Sequence, residues 1–257
     1  METILYIAAF VLGSVVGSFL NVCIHRLPRG MSIVHPPSHC PSCGATIRYY
    51  DNVPLLSYLL LRGRCRACGA RISLRYPLVE GLTGAFAVLA LWAFGPSARG
   101  LISFGLLCSL QVVSFVDLDH RIIPDEISLG GMAVGLLLAL LGLSLPLREA
   151  VLGVLVGGGG LWLVAYLYEV IAKREGMGGG DVKLMGMVGA FLGYKGALFT
   201  IFSGSLLGAL VGGVLMALKG ADTKYAVPFG PFLSAGAVLY LFFGQELLCW
   251  YMSLLHS

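Results

Sequence analysis

The chain has 257 residues, 58% of them hydrophobic and only 12% charged, with a net charge of +4 and a mean hydropathy of +0.89. A soluble domain is about a quarter charged, so a soluble enzyme is excluded and an α-helical protein that crosses a membrane several times is expected. The charge calls for no nucleic-acid partner, and the placement of the basic residues says more than their sum.

The first apolar segment covers residues 4–22. It lacks a basic leading region, and its Gly17-Ser18-Phe19-Leu20-Asn21 end lacks a small-residue cleavage site, so it reads as a retained helix. Pro28 is expected to stop its continuation. Residues 25–76 form the one sizeable hydrophilic segment, with eight arginines against a single acid, Asp51. Further apolar helices are expected over residues 78–94, 101–116 and 125–145. A fifth, over 150–172, is interrupted by Gly157-Gly158-Gly159-Gly160, which suggests close helix packing or local bending. A short sixth helix follows Asp181 as far as residue 192, and the last two cover 197–218 and 229–248. The predicted fold is thus an all-α polytopic membrane protein of about eight transmembrane helices, with a zinc-ribbon-like loop between helices one and two. Three parts follow: a first helix (1–24), a four-cysteine loop (25–76) and a membrane-embedded core (77–257).

Eight crossings place the loops on alternating sides. The eight loop arginines share a side with Arg121, Lys173, Arg174, Lys183, Lys219 and Lys224, whereas the other side holds Arg99, Arg148 and Lys195. Fourteen basic residues against three is the asymmetry expected if the large loop is cytoplasmic, with both termini on the opposite side. Asp117, Asp119, Asp125 and Asp181 then fall at the cytoplasmic membrane face.

Cys40-Pro41-Ser42-Cys43-Gly44-Ala45 and Cys65-Arg66-Ala67-Cys68-Gly69-Ala70 are two copies of one short pattern. Paired C-x2-C knuckles bring four thiolates to one tetrahedral, closed site that suits structural zinc. Two disulfides are the other reading, and a reducing cytoplasm argues against them. Cys23, Cys108 and Cys249 lie in or beside helices, where packing is the expected use.

The stretch Gly176-Met177-Gly178-Gly179-Gly180-Asp181-Val182-Lys183 puts a carboxylate where a membrane helix should begin. It is either a glycine-rich loop ending in an Asp N-cap or a functional site, because lipid penalises charge. Asp117 closes the third apolar run, followed by Asp119 and His120 in what reads as an interfacial loop. Asp125 follows Pro124 and suits helix capping. Asp117 and Asp181 would lie at one depth on helices able to pack together. Two close carboxylates share a proton, so one can activate water while the other protonates the substrate, with no metal and no covalent intermediate.

With these motifs in order, the whole chain resembles the type IV prepilin leader peptidase/N-methyltransferase family. Gly17 to Val22 with His25-Arg26-Leu27-Pro28, the two cysteine pairs, and Arg75-Tyr76-Pro77-Leu78-Val79-Glu80 carry the resemblance. So do the stretch from Asp117 to Asp125, that from Gly176 to Lys183, and Pro228-Phe229-Gly230-Pro231-Phe232. The resemblance implies Asp117 and Asp181 as the catalytic pair, with Gly178, Gly180, Lys183 and Asp125 supporting the motifs. It implies cleavage of a basic leader from prepilins or secretion pseudopilins, then methylation of the new amine from S-adenosylmethionine. Gly63 matches a glycine associated with methyl transfer, though a turn before the second knuckle is an equal reading. Glu80 could accept from the substrate amine, though a helix-start acid is equally plausible. Two rival readings are an ion-coupled transporter using Asp117 and Asp181 and a zinc-loop scaffold for partner membrane proteins.

Overall fold

A backbone surrounded by hydrocarbon has to close its own hydrogen bonds, so long apolar runs become helices. The computed structural model describes residues 2–173, 177–219 and 228–255. Among them are nine α-helices and no strand: α1 (Glu2–Arg26), α2 (Leu56–Leu60), α3 (Arg75–Phe94), α4 (Ala98–His120), α5 (Asp125–Leu140), α6 (Leu147–Val154), α7 (Gly160–Ala172), α8 (Gly179–Lys219) and α9 (Gly230–Leu255). Arg174, Gly176, Lys224 and Ser257, which entered the expectations above, lie outside the described residues.

Five described helical stretches are long and apolar enough to cross a membrane: Glu2–Arg29, Arg75–Phe94, Ala98–His120, Leu147–Ala172 and Gly179–Leu218. The expected count of about eight is not reproduced by helix length. The sixth and seventh segments meet inside α8 at a kink, where Gly193 leaves helical geometry (φ +71°, ψ −178°), so the expected division between them falls there. Meanwhile α5 has only 16 residues. Pro28 does not stop the first helix abruptly either. It sits in a 3-10 turn, Leu27–Arg29, that extends α1 and ends at left-handed Gly30.

The chain divides into two compact units, Met1–Val112 and Val113–Ser257. In the first, α1 packs along α3. A Cβ on Gly17 would come within 2.7 Å of the Glu80 Cα, so a glycine there lets the two backbones approach. Asn21 Nδ2 donates to the Tyr76 carbonyl, 3.1 Å. Deeper in, Thr83 Oγ1 donates to Gln111 Oε1 (3.1 Å) while Gln111 Nε2 donates to the Val79 carbonyl (3.0 Å). These buried polar groups are thereby satisfied among apolar neighbours.

In the second unit α8 is the central element and packs on α5, α6 and α9. Leu184, Met185, Met187 and Val188 on it are fully buried. The approach of α6 to α8 is backbone on backbone: a Cβ on Gly153 would collide with the Gly189 carbonyl, and the reverse substitution with Gly153's. The glycine run that follows adopts a π-helical turn, Leu155–Gly159, between α6 and α7. A Cβ on Gly157 would lie 2.5 Å from the Met185 carbonyl. Close packing and a local change of winding therefore occur together, as π-turns within helices allow.

Candidate active site

Asp117 lies in the last turn of α4 and is only 6% exposed. The helix does not end where its apolar run does. Asp119 and His120 remain helical, correcting the expected loop, and left-handed Arg121 (φ +56°) closes the turn by donating its N–H to the Asp117 carbonyl, 2.9 Å. Asp181 is the third residue of α8, within its first turn rather than at its N-cap. The two carboxylates belong to the same compact unit and lie within electrostatic reach of each other.

Three further contacts fix this pair. The Gly230 N–H at the head of α9 donates to Asp117 Oδ2, 2.8 Å. A Cβ on Gly230 would lie 2.8 Å from that same oxygen, so a side chain there would push the carboxylate aside. A Cβ on Gly180 would meet the Ile123 Cβ at 3.0 Å, so this motif glycine lets the segment between α4 and α5 lie on the start of α8. Gly178 is less constrained, since its Cβ would sit 3.7 Å from Asp181 Oδ2 in ordinary contact. Finally, Lys183 Nζ donates to both oxygens of Asp125 at 2.7 and 2.9 Å. Asp125 is therefore not a helix cap: Pro124 holds the cap position, no side chain caps the helix, and the Asp125 carboxylate is spent on Lys183. The ion pair ties the start of α5 to the first turn of α8, two residues from Asp181.

Such an arrangement suits hydrolysis by paired carboxylates. With Oδ2 of Asp117 taken by a backbone donor, its other oxygen is left for a water molecule. Asp181, within electrostatic reach, is a second carboxyl of the kind that can supply a proton to a departing group. Sequence reasoning found both acids but missed the donor, because a glycine N–H has no side chain to notice. The available signal was Gly230 inside the Pro228-Phe229-Gly230-Pro231-Phe232 motif, to which the resemblance attached no role.

The cysteine loop belongs to the first unit. Each knuckle closes with the same pair of hydrogen bonds. The Cys40 N–H donates to Ala45 and the Gly44 N–H to Cys40; likewise Cys65 donates to Ala70 and Gly69 to Cys65. Gly44 and Gly69 take φ +71° and +73°, the left-handed turn that glycine adopts without strain. All four thiols are unbridged, with their Sγ atoms within 4.8 Å of one another and 3.9 Å between Cys40 and Cys68. Zinc with four bonds of about 2.3 Å needs sulfurs about 3.8 Å apart, so this set can hold a metal ion. The backbone N–H groups of Cys43 and then Ser42 pull the Cys40 thiol down to about 6, toward the thiolate that ligation requires.

Gly63 is a turn residue before the second knuckle, at φ +64°, with Tyr58 stacked where a Cβ would go (2.7 Å to the hydroxyl). Glu80 is not a helix-start acid. It lies in the second turn of α3, nearly buried, and its Oε2 accepts the Leu55 N–H at 2.9 Å.

Comparison with known proteins identifies the family. Residues 11–94 match the bacterial peptidase A24 N-terminal domain, and residues 104–213 the type IV leader peptidase family. A protein named prepilin leader peptidase/N-methyltransferase in Pseudomonas putida is 39% identical over 96% of this chain and 93% of its own length. Its namesake in Xanthomonas campestris is 38% identical over 95% and 93%. One in Burkholderia pseudomallei is 40% identical over 92% and 84%. No solved structure gives a significant match. On these matches the chain belongs to the type IV leader peptidase family.

Proposed function

We propose that this chain is a bifunctional prepilin leader peptidase and N-methyltransferase in which Asp117 and Asp181 form the water-activating pair. The observation that supports the peptidase assignment is the placement of both acids in one compact unit, within electrostatic reach of each other, with the Gly230 N–H on Asp117. Water attacks the scissile carbonyl as one carboxylate takes its proton. The other donates its proton to the departing amine, so the pair holds one proton after cleavage as before, on the opposite carboxylate. The substrates are the N-terminal segments of type IV prepilins or type II secretion pseudopilins, presented from the lipid phase. The names of the relatives do not favour an ion-coupled transporter.

Cys40, Cys43, Cys65 and Cys68 would hold zinc, whose contribution when bound is architectural, since four sulfurs leave no open ligand position. The methyl donor is S-adenosylmethionine. Fourteen basic residues against three favour a cytoplasmic loop in the bacterial inner membrane with both termini periplasmic. A reporter fused after Asp51 should then give a cytoplasmic signal, and the opposite signal would overturn this orientation.

The decisive test is made with detergent-purified protein and a prepilin. Asp117→Asn and Asp181→Asn should each abolish leader release almost as fully as the double variant, since members of a catalytic unit are non-additive. Both should still methylate a pre-cleaved pilin peptide. Substantial cleavage by Asp181→Asn would remove the pair from the mechanism.

A further inference from the structure

The first unit contains a cleft of about 540 Å³, within the range that accepts a small organic ligand. Ser18, Phe19 and Arg26 of α1 form one side, and Pro36, Asn52 and Val53 of the loop form the other. Most of the lining is apolar, and Arg26 is the single charged residue in it.

Arg26 is 6% exposed. Its Nη1 donates to the Ser32 carbonyl at 2.9 Å and its Nη2 to the Pro36 carbonyl at 2.7 Å. These bonds use two of the five N–H groups a guanidinium carries. Among the described residues no carboxylate pairs with it. A buried cation held in place with spare donors is costly unless an anionic group completes it, and the guanidinium fork matches a carboxylate.

Both loop walls of the cleft are anchored to the cysteine knuckles. Pro36 and Pro37 lead into Ser38, whose carbonyl accepts the Ile47 N–H (2.9 Å) beside Cys40. On the other wall, Asn52 follows Asp51, which Arg66 of the second knuckle grips with three hydrogen bonds of 2.7 to 3.0 Å. Glu80 of α3 supports the loop wall from beneath, its Oε2 accepting the Leu55 N–H next to Pro54 at 2.9 Å.

We propose that this cleft binds the methyl donor, S-adenosylmethionine, an inference that rests on the methyl-transfer reading above. The donor's carboxylate pairs with Arg26, its purine lies against the valine and proline walls, and Phe19 offers a ring face to the sulfonium. When the reaction occurs, the amine lone pair of the new N-terminus forms the N–CH3 bond as the S–CH3 bond breaks. The bonding pair stays on sulfur, giving neutral S-adenosylhomocysteine, and the methylated ammonium releases a proton to water. A metal at the cysteines has a second role here, because ordering both knuckles orders both walls.

The test uses the full metal-loaded chain in detergent. Ultraviolet crosslinking of methyl-labelled S-adenosylmethionine, followed by peptide mapping, should mark residues 15–54. Val53→Trp fills the cleft from a partly exposed position, and Arg26→Gln removes the cation. Each should weaken equilibrium binding of S-adenosylhomocysteine at least about tenfold, the effect of losing one charge-assisted contact. Leu60→Trp, on the exposed side of α2, should bind as the unaltered chain does. Metal content and thermal midpoint confirm that each variant is folded. Undiminished binding by folded Val53→Trp and Arg26→Gln, or a crosslink mapping only outside residues 15–54, would overturn the assignment. Displacement of a short-chain anionic phospholipid by Val53→Trp, with donor binding intact, would make the cleft a lipid site instead. If the unaltered chain binds no donor at all, the methyl-transfer reading itself falls.

Discussion

At the scale of single residues, the site depends on a contact made without a side chain. Because Gly230 touches Asp117 through its N–H and has no room for a Cβ, Gly230→Ala should push the carboxylate out of line. Misplacement of a catalytic group by an ångström costs about a hundredfold in rate, so leader release should drop by about that factor while donor binding is unchanged. Assaying both in one preparation checks this. Asp125 and Lys183 give a smaller effect. Their side chains are 55% and 39% exposed, so the pair adds little to stability and its use is positional. Asp125→Lys or Lys183→Asp alone should slow cleavage. The double exchange should recover part of it, and recovery of none would show that the pair does not position α8. Gly63 belongs at this scale too: Gly63→Ala would force a side chain into left-handed backbone and against Tyr58, so a loss of methyl transfer there would act through the second knuckle's shape.

At the scale of elements, helix length in the structure follows backbone hydrogen bonding, whereas the sequence shows only hydropathy. The third apolar run was visible to residue 116, yet α4 continues to His120 because polar residues can close helical turns as well as apolar ones. For the same reason Asp119 looked like part of a loop. The cysteine knuckles were fully legible, since each is built from bonds between near neighbours that repeat with the sequence. The α6–α8 contact was half legible: a run of glycines announced close packing but could not name Gly189 as the partner. Gly153→Ala should cost at least about 1–3 kcal/mol, the usual price of overpacking, measured as a lower thermal midpoint in detergent. The loop has its own pH signature. Arg66 beside Asp51 holds its carboxyl below the usual carboxylate range, so the clamp is fully present above the unfolded pKa of about 4 and lost as pH falls through the folded value. Asp51→Asn should therefore speed proteolysis of the loop at pH 7, and the difference from the unaltered chain should vanish under strongly acidic conditions.

At the scale of the whole molecule, the two units separate along the two proposed chemistries. The paired acids lie in Val113–Ser257, and the cysteine loop and the cleft in Met1–Val112. Chelation should therefore abolish methyl transfer while leader release continues, because no metal is needed for water activation by two carboxylates. Equal loss of both activities on removing the metal, with full recovery on its return, would show that the loop also serves the peptidase. The order of motifs along the chain made the family legible. The division into units was not, because α4 runs unbroken across the boundary and no polar stretch marks it.

The bond from Gly230 to Asp117 also bears on how the protein is made. A ribosome delivers both acids long before it delivers the glycine 113 positions after the first of them. A growing chain thus carries its acids into the membrane while the peptidase is still unassembled. Activity should begin only when the last helix arrives, which spares neighbouring proteins during synthesis. A chain terminated after Lys219 should insert but release no leader, and separately supplied residues 228–257 should restore cleavage.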